Sequence, residues 1–164
     1  MAAFLKWLLR AESLVAALAY LIVASLLLGE IIAREIFSTT IWGSQRMAVF
    51  AAIYAGFLGL CLATAANSHL RPQFADGWWP ARWARELDRI GDVISAILFI
   101  ILGIVGLDFV SQTYATGDTA SVIRWKLWPF QAVIVYSFFS SAVRHIIFAA
   151  RPDLKPMPDI TETA

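Results

Sequence analysis

Cysteine is almost missing from this chain. Cys61 is the single one among 164 residues, which excludes a disulfide framework and any CxxC metal or redox site. Charge of either sign is also scarce. Thirteen Lys and Arg stand against twelve Asp and Glu, a formal net charge of +1. There is no basic excess for nucleic acid and no acidic excess for a solvating tail. The sequence holds no GxxxxGKS/T phosphate loop, no GxGxxG turn, no HExxH and no paired Cys/His metal spacing, and no nucleophile–base constellation. Nothing points to an enzyme or to a metal or cofactor site. No long apolar run is interrupted by an internal proline, and no repeat relates the two halves. Transporters that bind substrate near mid-membrane commonly show both.

Apolar residues fill the space. The chain is 60% hydrophobic and 15% charged, where soluble domains average about 45–50% and about 25%. One soluble core of this size could not hide so much apolar surface. A helix needs about 20 apolar residues to span the hydrocarbon core, and four stretches qualify: residues 14–33, 47–66, 90–114 and 128–150. Runs such as ISAILFIILGIVGL lack the alternation of a barrel strand. The expected fold is all-α and integral to the membrane, one four-helix domain over residues 1–150. The seven tryptophans agree with it. Trp7, Trp42, Trp78, Trp79, Trp83, Trp125 and Trp128 all fall at or beyond the ends of the spans, where a half-apolar ring with an N–H donor belongs.

Lys and Arg set the expected orientation. Lys6, Arg10, Arg71, Arg82, Arg85, Arg89, Arg144, Arg151 and Lys155 collect on one side. Arg34, Arg46, Arg124 and Lys126 collect on the other. Nine against four puts both termini and the central loop in the cytoplasm. A cleaved signal peptide is the competing reading of the N-terminus, but the apolar run continues well past the Ala17-Leu18-Ala19 site. In the central loop, Trp83, Leu87 and Ile90 share one helical face opposite Arg82, Arg85, Glu86 and Arg89, after Pro80. This predicts a short in-plane amphipathic helix over residues 80–90; a cytoplasmic extension of the third span is the alternative. Residues 151–164, with three prolines and little periodicity, are expected to be a disordered tail.

Ionisable groups inside spans are functional candidates. Glu30, Arg34 and Glu35 close the first span and Asp108 lies two-thirds through the third. The expectation is a structural ion-pair cluster locking spans one and three, with Glu30 and Arg34 paired at i, i+4. A proton- or ion-coupling site is the alternative. His69 and His145 lie near span ends, which leaves a bis-histidine haem conceivable. Small residues mark close helix approach. Ala52, Gly56, Gly59 and Ala63 form a stripe on the second span, and Ser137 and Ser141 a polar one on the fourth. Both are candidate faces for packing or for a partner helix.

These features together resemble the small membrane subunit, the DctQ-like component, of tripartite ATP-independent periplasmic (TRAP) transporters. Arg34-Glu35-Ile36-Phe37 is similar to the family's Arg-x-x-Phe at the end of the first span, and Trp42 to the tryptophan opening the second. His69-Leu70-Arg71 is similar to the His-apolar-Arg stretch after the second span, with Asp76 for the acid that follows. Gly43-Ser44-Gln45 departs from the one or two Glu found there in many relatives. The resemblance implies a multi-pass protein of the bacterial inner membrane, with no cofactor of its own. Its partners would be the lipid bilayer, a large permease subunit holding the substrate and sodium sites, and a periplasmic binding protein that delivers an organic acid. Two other classes compete: a haem-bearing or structural membrane anchor of an oxidoreductase, and an autonomous four-span exporter.

Overall fold

A computed structural model describes residues 2–66 and 84–155. Among these residues the chain forms four α-helices, α1 (Ala2–Phe37), α2 (Ser44–Ala65), α3 (Ala84–Thr116) and α4 (Trp128–Ala150), then a 3-10 turn at Pro152–Leu154. All four are long and apolar enough to cross a membrane. The all-α membrane fold expected from the sequence is the fold observed.

Helix length divides them in two pairs. At about 1.5 Å per residue, α2 with 22 residues and α4 with 23 match a hydrocarbon core of about 30 Å. α1 with 36 and α3 with 33 overshoot it. The spans read from hydropathy agree with α2 and α4 to within three residues but are too short for α1 and α3. Hydropathy stops at the first charges, whereas the helices continue through them, some partnered within the fold, as Glu12 and Arg89 are, and others exposed, as Arg34 and Glu35 are. The in-plane helix expected over residues 80–90 is corrected on the same ground. α3 starts at Ala84 and runs unbroken, so residues 84–90 are its first turns. Residues 80–83, Trp83 included, lie outside the described residues, as do Trp78 and Trp79. Within the tail expected to be disordered, Pro152–Leu154 form the 3-10 turn, and residues 156–164 lie outside the described residues. Lys155 Nζ donates to Asp88 Oδ2 at 2.9 Å and Asp92 Oδ2 at 2.7 Å on α3.

The helices pack in the spatial order α1–α2–α4–α3, with α1 and α3 at opposite edges. Ala16, Leu58 and Val133 form the junction of α1, α2 and α4. Toward the end opposite the termini, Ala120 and Ile123 of the α3–α4 connection pack against Phe50, and Phe50 stacks on Phe130 at 4.2 Å. α3 stops at Gly117, whose φ of 69° suits glycine at a helix C-terminus. Its N–H reaches back to Thr113 O at 3.1 Å.

The small residues separate by use. A Cβ built on Gly103 would stand 3.0 Å from the Phe139 ring, and one on Gly106 3.3 Å from Val135, so these two glycines let α3 approach α4. A Cβ on Gly56 or Gly59 would meet nothing within 4 Å. Gly103→Leu is therefore expected to cost about 1–3 kcal/mol by overpacking. Gly56→Ala in the isolated chain should hold or gain up to about 1 kcal/mol from helix propensity. Thermal unfolding in detergent measures both, and equal midpoints for the two variants would contradict this division.

Candidate functional site

α4 is the helix around which buried polar groups gather. Ser137, Ser140, Ser141, Arg144 and His145 are all buried on it, and each meets a polar group on or beyond α4. On the α1 side, Glu12 and Arg144 are an ion pair whose side chains are 2% and 1% exposed. Glu12 Oε1 also accepts from Ser140 Oγ at 2.7 Å and Tyr136 Oη at 3.0 Å, while Arg144 Nη1 donates to Ser140 Oγ at 2.9 Å. On the α2 side, Thr64 Oγ1 bonds Ser141 Oγ at 3.2 Å, and Cys61 Sγ donates to Ser137 O at 3.7 Å. On the α3 side, His145 Nδ1 lies 3.0 Å from Asp92 Oδ1, with the His145 ring stacked 5.6 Å from Phe99. Arg89 Nε donates to Ala149 O at 2.9 Å, satisfying a carbonyl that the end of α4 leaves without a helical partner.

The electrostatics of this belt follow from burial. A lone charge withdrawn from water costs several kcal/mol, and the pair recovers it only if every remaining lone pair and donor is used. The Glu12 carboxylate is well supplied: its two oxygens accept from Tyr136, Ser140 and Arg144. The belt thus ties α1, α2 and α3 to one central helix. Among the described residues no three His, Cys, Asp or Glu side chains gather as a metal site.

The expected cluster at the other end is not assembled. Glu30 is buried, but its Oε2 accepts from Ile41 N at 2.9 Å and Ser44 Oγ at 2.7 Å. It anchors the α1–α2 connection rather than pairing with Arg34, for which no ion pair is present among the described residues. Arg34 and Glu35 are exposed. Asp108 is exposed as well and accepts from Gln112 Nε2 on its own helix at 2.7 Å. The physical reason is the packing order: α1 and α3 occupy opposite edges, so no pair can lock one to the other there. Of the small and polar stripes, Ser137 and Ser141 are fully buried between α4 and α2 and offer no partner surface. Ala52 and Gly56 are exposed, Gly59 and Ala63 half-buried. Phe37 and Trp42 are exposed at the α1–α2 connection. Trp125 stacks on Phe130 and Trp128 meets Tyr114 edge-on. His69, Arg71 and Asp76 lie outside the described residues, so the bis-histidine reading is not addressed. His145, read as interfacial, is instead paired and buried.

Sequence reasoning missed Glu12. Its signal was present: Glu12, Ala16, Ala19, Glu30 and Ala33 share one face of α1, and all five are buried. A carboxylate on a stripe of alanines marks a helix face that needs a cation opposite it.

With this geometry in hand, the chain was compared with known proteins. A family model described as "Tripartite ATP-independent periplasmic transporters, DctQ component" matches residues 23–153. The chain belongs to the DctQ family. It is thus the small component of a TRAP transporter, a transporter part and not a member of an enzyme class. No curated protein and no solved structure matches. The match contains Arg144 and its buried serines, while Glu12 lies before its start.

For this DctQ component, Glu12→Ala or Arg144→Ala strands a buried charge. Each is expected to cost about 3–5 kcal/mol, and the double change to leucine less than either single one. Arg34→Ala should stay within about 0.5 kcal/mol. Thermal unfolding in detergent decides. An Arg144→Ala midpoint equal to that of Arg34→Ala would mean that the pair holds nothing together.

Proposed function

We propose that the chain is the small, non-substrate-binding membrane subunit of a sodium-coupled TRAP transporter. The system imports an organic acid delivered by a periplasmic binding protein, and this subunit stabilises and anchors the scaffold of the large permease subunit. Both termini and the central loop face the cytoplasm in this reading.

The observation that carries it is the outer face of α2. Ala52, Gly56, Gly59 and Ala63 are a small-residue stripe that the chain's own helices leave unfilled, with open space at both glycines. Without a hydrophobic drive between helices in lipid, such stripes associate because backbones approach closely and dispersion contacts accumulate. A second membrane subunit gives this stripe its use. The polar belt supports the same division of labour. It cross-links the chain's own helices and stiffens the chain, as befits a fixed frame against which another subunit moves.

Two measurements test the reading. In liposomes holding only this chain, no gradient-driven uptake of an organic acid is expected. Uptake should require the large permease and the binding protein as well, and uptake by the chain alone would favour the exporter. Gly56→Leu with Gly59→Leu should leave the isolated chain folded yet weaken copurification with the permease by about tenfold or more, equivalent to about 1.4 kcal/mol. For orientation, with Cys61 replaced, cysteine at position 40 or 118 should react with a membrane-impermeant thiol reagent in intact cells and cysteine at position 153 should not. The reverse pattern would invert the topology.

A further inference from the structure

The first turns of α1 stand apart from the rest of the bundle. Glu12 is fixed at Arg144, and α4 continues only six residues beyond it, to Ala150, about 9 Å. α1 extends ten residues past Glu12, to Ala2, about 15 Å. This overhang is helical and mostly uncovered: Phe4 is 53% exposed and Trp7 69%, and Lys6 and Arg10 are exposed.

Its charge has one sign, and the ion pair is the reason. Glu12 is the only acid in the first 29 residues, and it is turned inward and buried. Glu30 is buried too, so the first exposed acid on α1 is Glu35. The first turn carries no acidic residue, so the positive end of the helix dipole is uncompensated there. The charge exposed on the overhang is therefore all cationic. Its apolar side is equally directional. Trp7, Leu14, Leu18 and Leu21 follow one another at i, i+7, i+11 and i+14, one face of a helix, and all are exposed. The face that meets acyl chains farther along α1 thus continues without a break into the overhang. There it ends in a tryptophan flanked by Lys6 and Arg10.

We propose that the N-terminal overhang of α1 is a contact site for anionic phospholipid. Phe4 and Trp7 rest at the boundary of headgroups and acyl chains, and Lys6 and Arg10 extend to the phosphates. Charge complementarity and continuity with the lipid-facing stripe select a membrane surface over a protein partner. The inward pairing of Glu12 is what frees the overhang for it. Cationic side chains reach the phosphate level by extending from an apolar stem, and tryptophan prefers this depth. The site requires neither the large permease nor a particular orientation of the chain.

The test uses the full chain in lipid nanodiscs, with Cys61→Ala and a fluorophore on cysteine at position 7 or, for comparison, position 21. Brominated phosphatidylglycerol and brominated phosphatidylcholine serve as quenchers at equal mole fractions. At position 7 the anionic quencher should win by about fivefold, the preference expected for one surface cation near anionic lipid. At position 21 the two should be equal. Lys6→Gln with Arg10→Gln should erase the preference at position 7. So should about 1 M salt, where the screening length falls to about 3 Å, and that arm needs no variant. Equal quenching by both lipids at position 7 overturns the proposal. Absence of quenching there while position 21 is quenched also overturns it, and would place the overhang in water or under another protein.

Discussion

A charge inside a membrane protein must be neutralised where it stands, and in this chain that constraint has one principal solution. Arg144 sits on the helix that touches both neighbours, buried to 1%, and the carboxylate that answers it comes from more than a hundred residues away in α1. Desolvating either ion alone costs several kcal/mol, so the buried pair holds only with further hydrogen bonds around it. Ser140 and Tyr136 supply the remaining bonds. Once Glu12 is held there, the register of α1 against α4 is fixed. The surface that α1 presents before Glu12 is then left with only positive charge.

The same helix carries a second set of polar bonds toward α3. His145 meets Asp92, and Lys155 bridges Asp92 and Asp88, so the segment after α4 is fastened to the start of α3. These bonds lie at the end of the molecule that carries both termini. The opposite end is closed differently. There Glu30 caps the α1–α2 connection through Ile41 and Ser44, and aromatic contacts among Phe50, Phe130 and Trp125 cover the α3–α4 connection. Polar bonds fix one end, a carboxylate cap and aromatic packing the other, and a Cβ at Gly56 or Gly59 on α2 would meet only open space. That arrangement suits a member of the DctQ family: tied together by its own polar bonds, with apolar helix faces left uncovered.

Much of this was legible in the sequence. The four spans, the all-α class and the family followed from hydropathy, tryptophan placement and a few short motifs. Ala52, Gly56, Gly59 and Ala63 were identifiable as a stripe of small residues on one face of α2 by their spacing alone. The ionic contacts were not legible. Glu30, Arg34 and Asp108 stood out because they interrupt apolar runs, yet they do not meet. Glu12 stands before the first span as hydropathy bounds it, and so it drew no reading. Ser137 and Ser141 read as a face for packing or for a partner helix, and the structure decides for packing, at the seam between α2 and α4.

The division has a physical basis. Crossing a membrane is decided within a segment, because a helix satisfies its own backbone and the bilayer tests only the length and polarity of that segment. The sequence by itself therefore determined that the chain spans four times and where each crossing lies. Which helices touch is a property of pairs of faces. Two opposite charges at i, i+4 look coupled in a list of residues, but a buried cation at another helix end draws its carboxylate from whichever edge the packing order brings near. Only the tertiary structure, by placing α4 between α2 and α3 and bringing the start of α1 across to it, decided that Glu12 rather than Glu30 carries the ion pair.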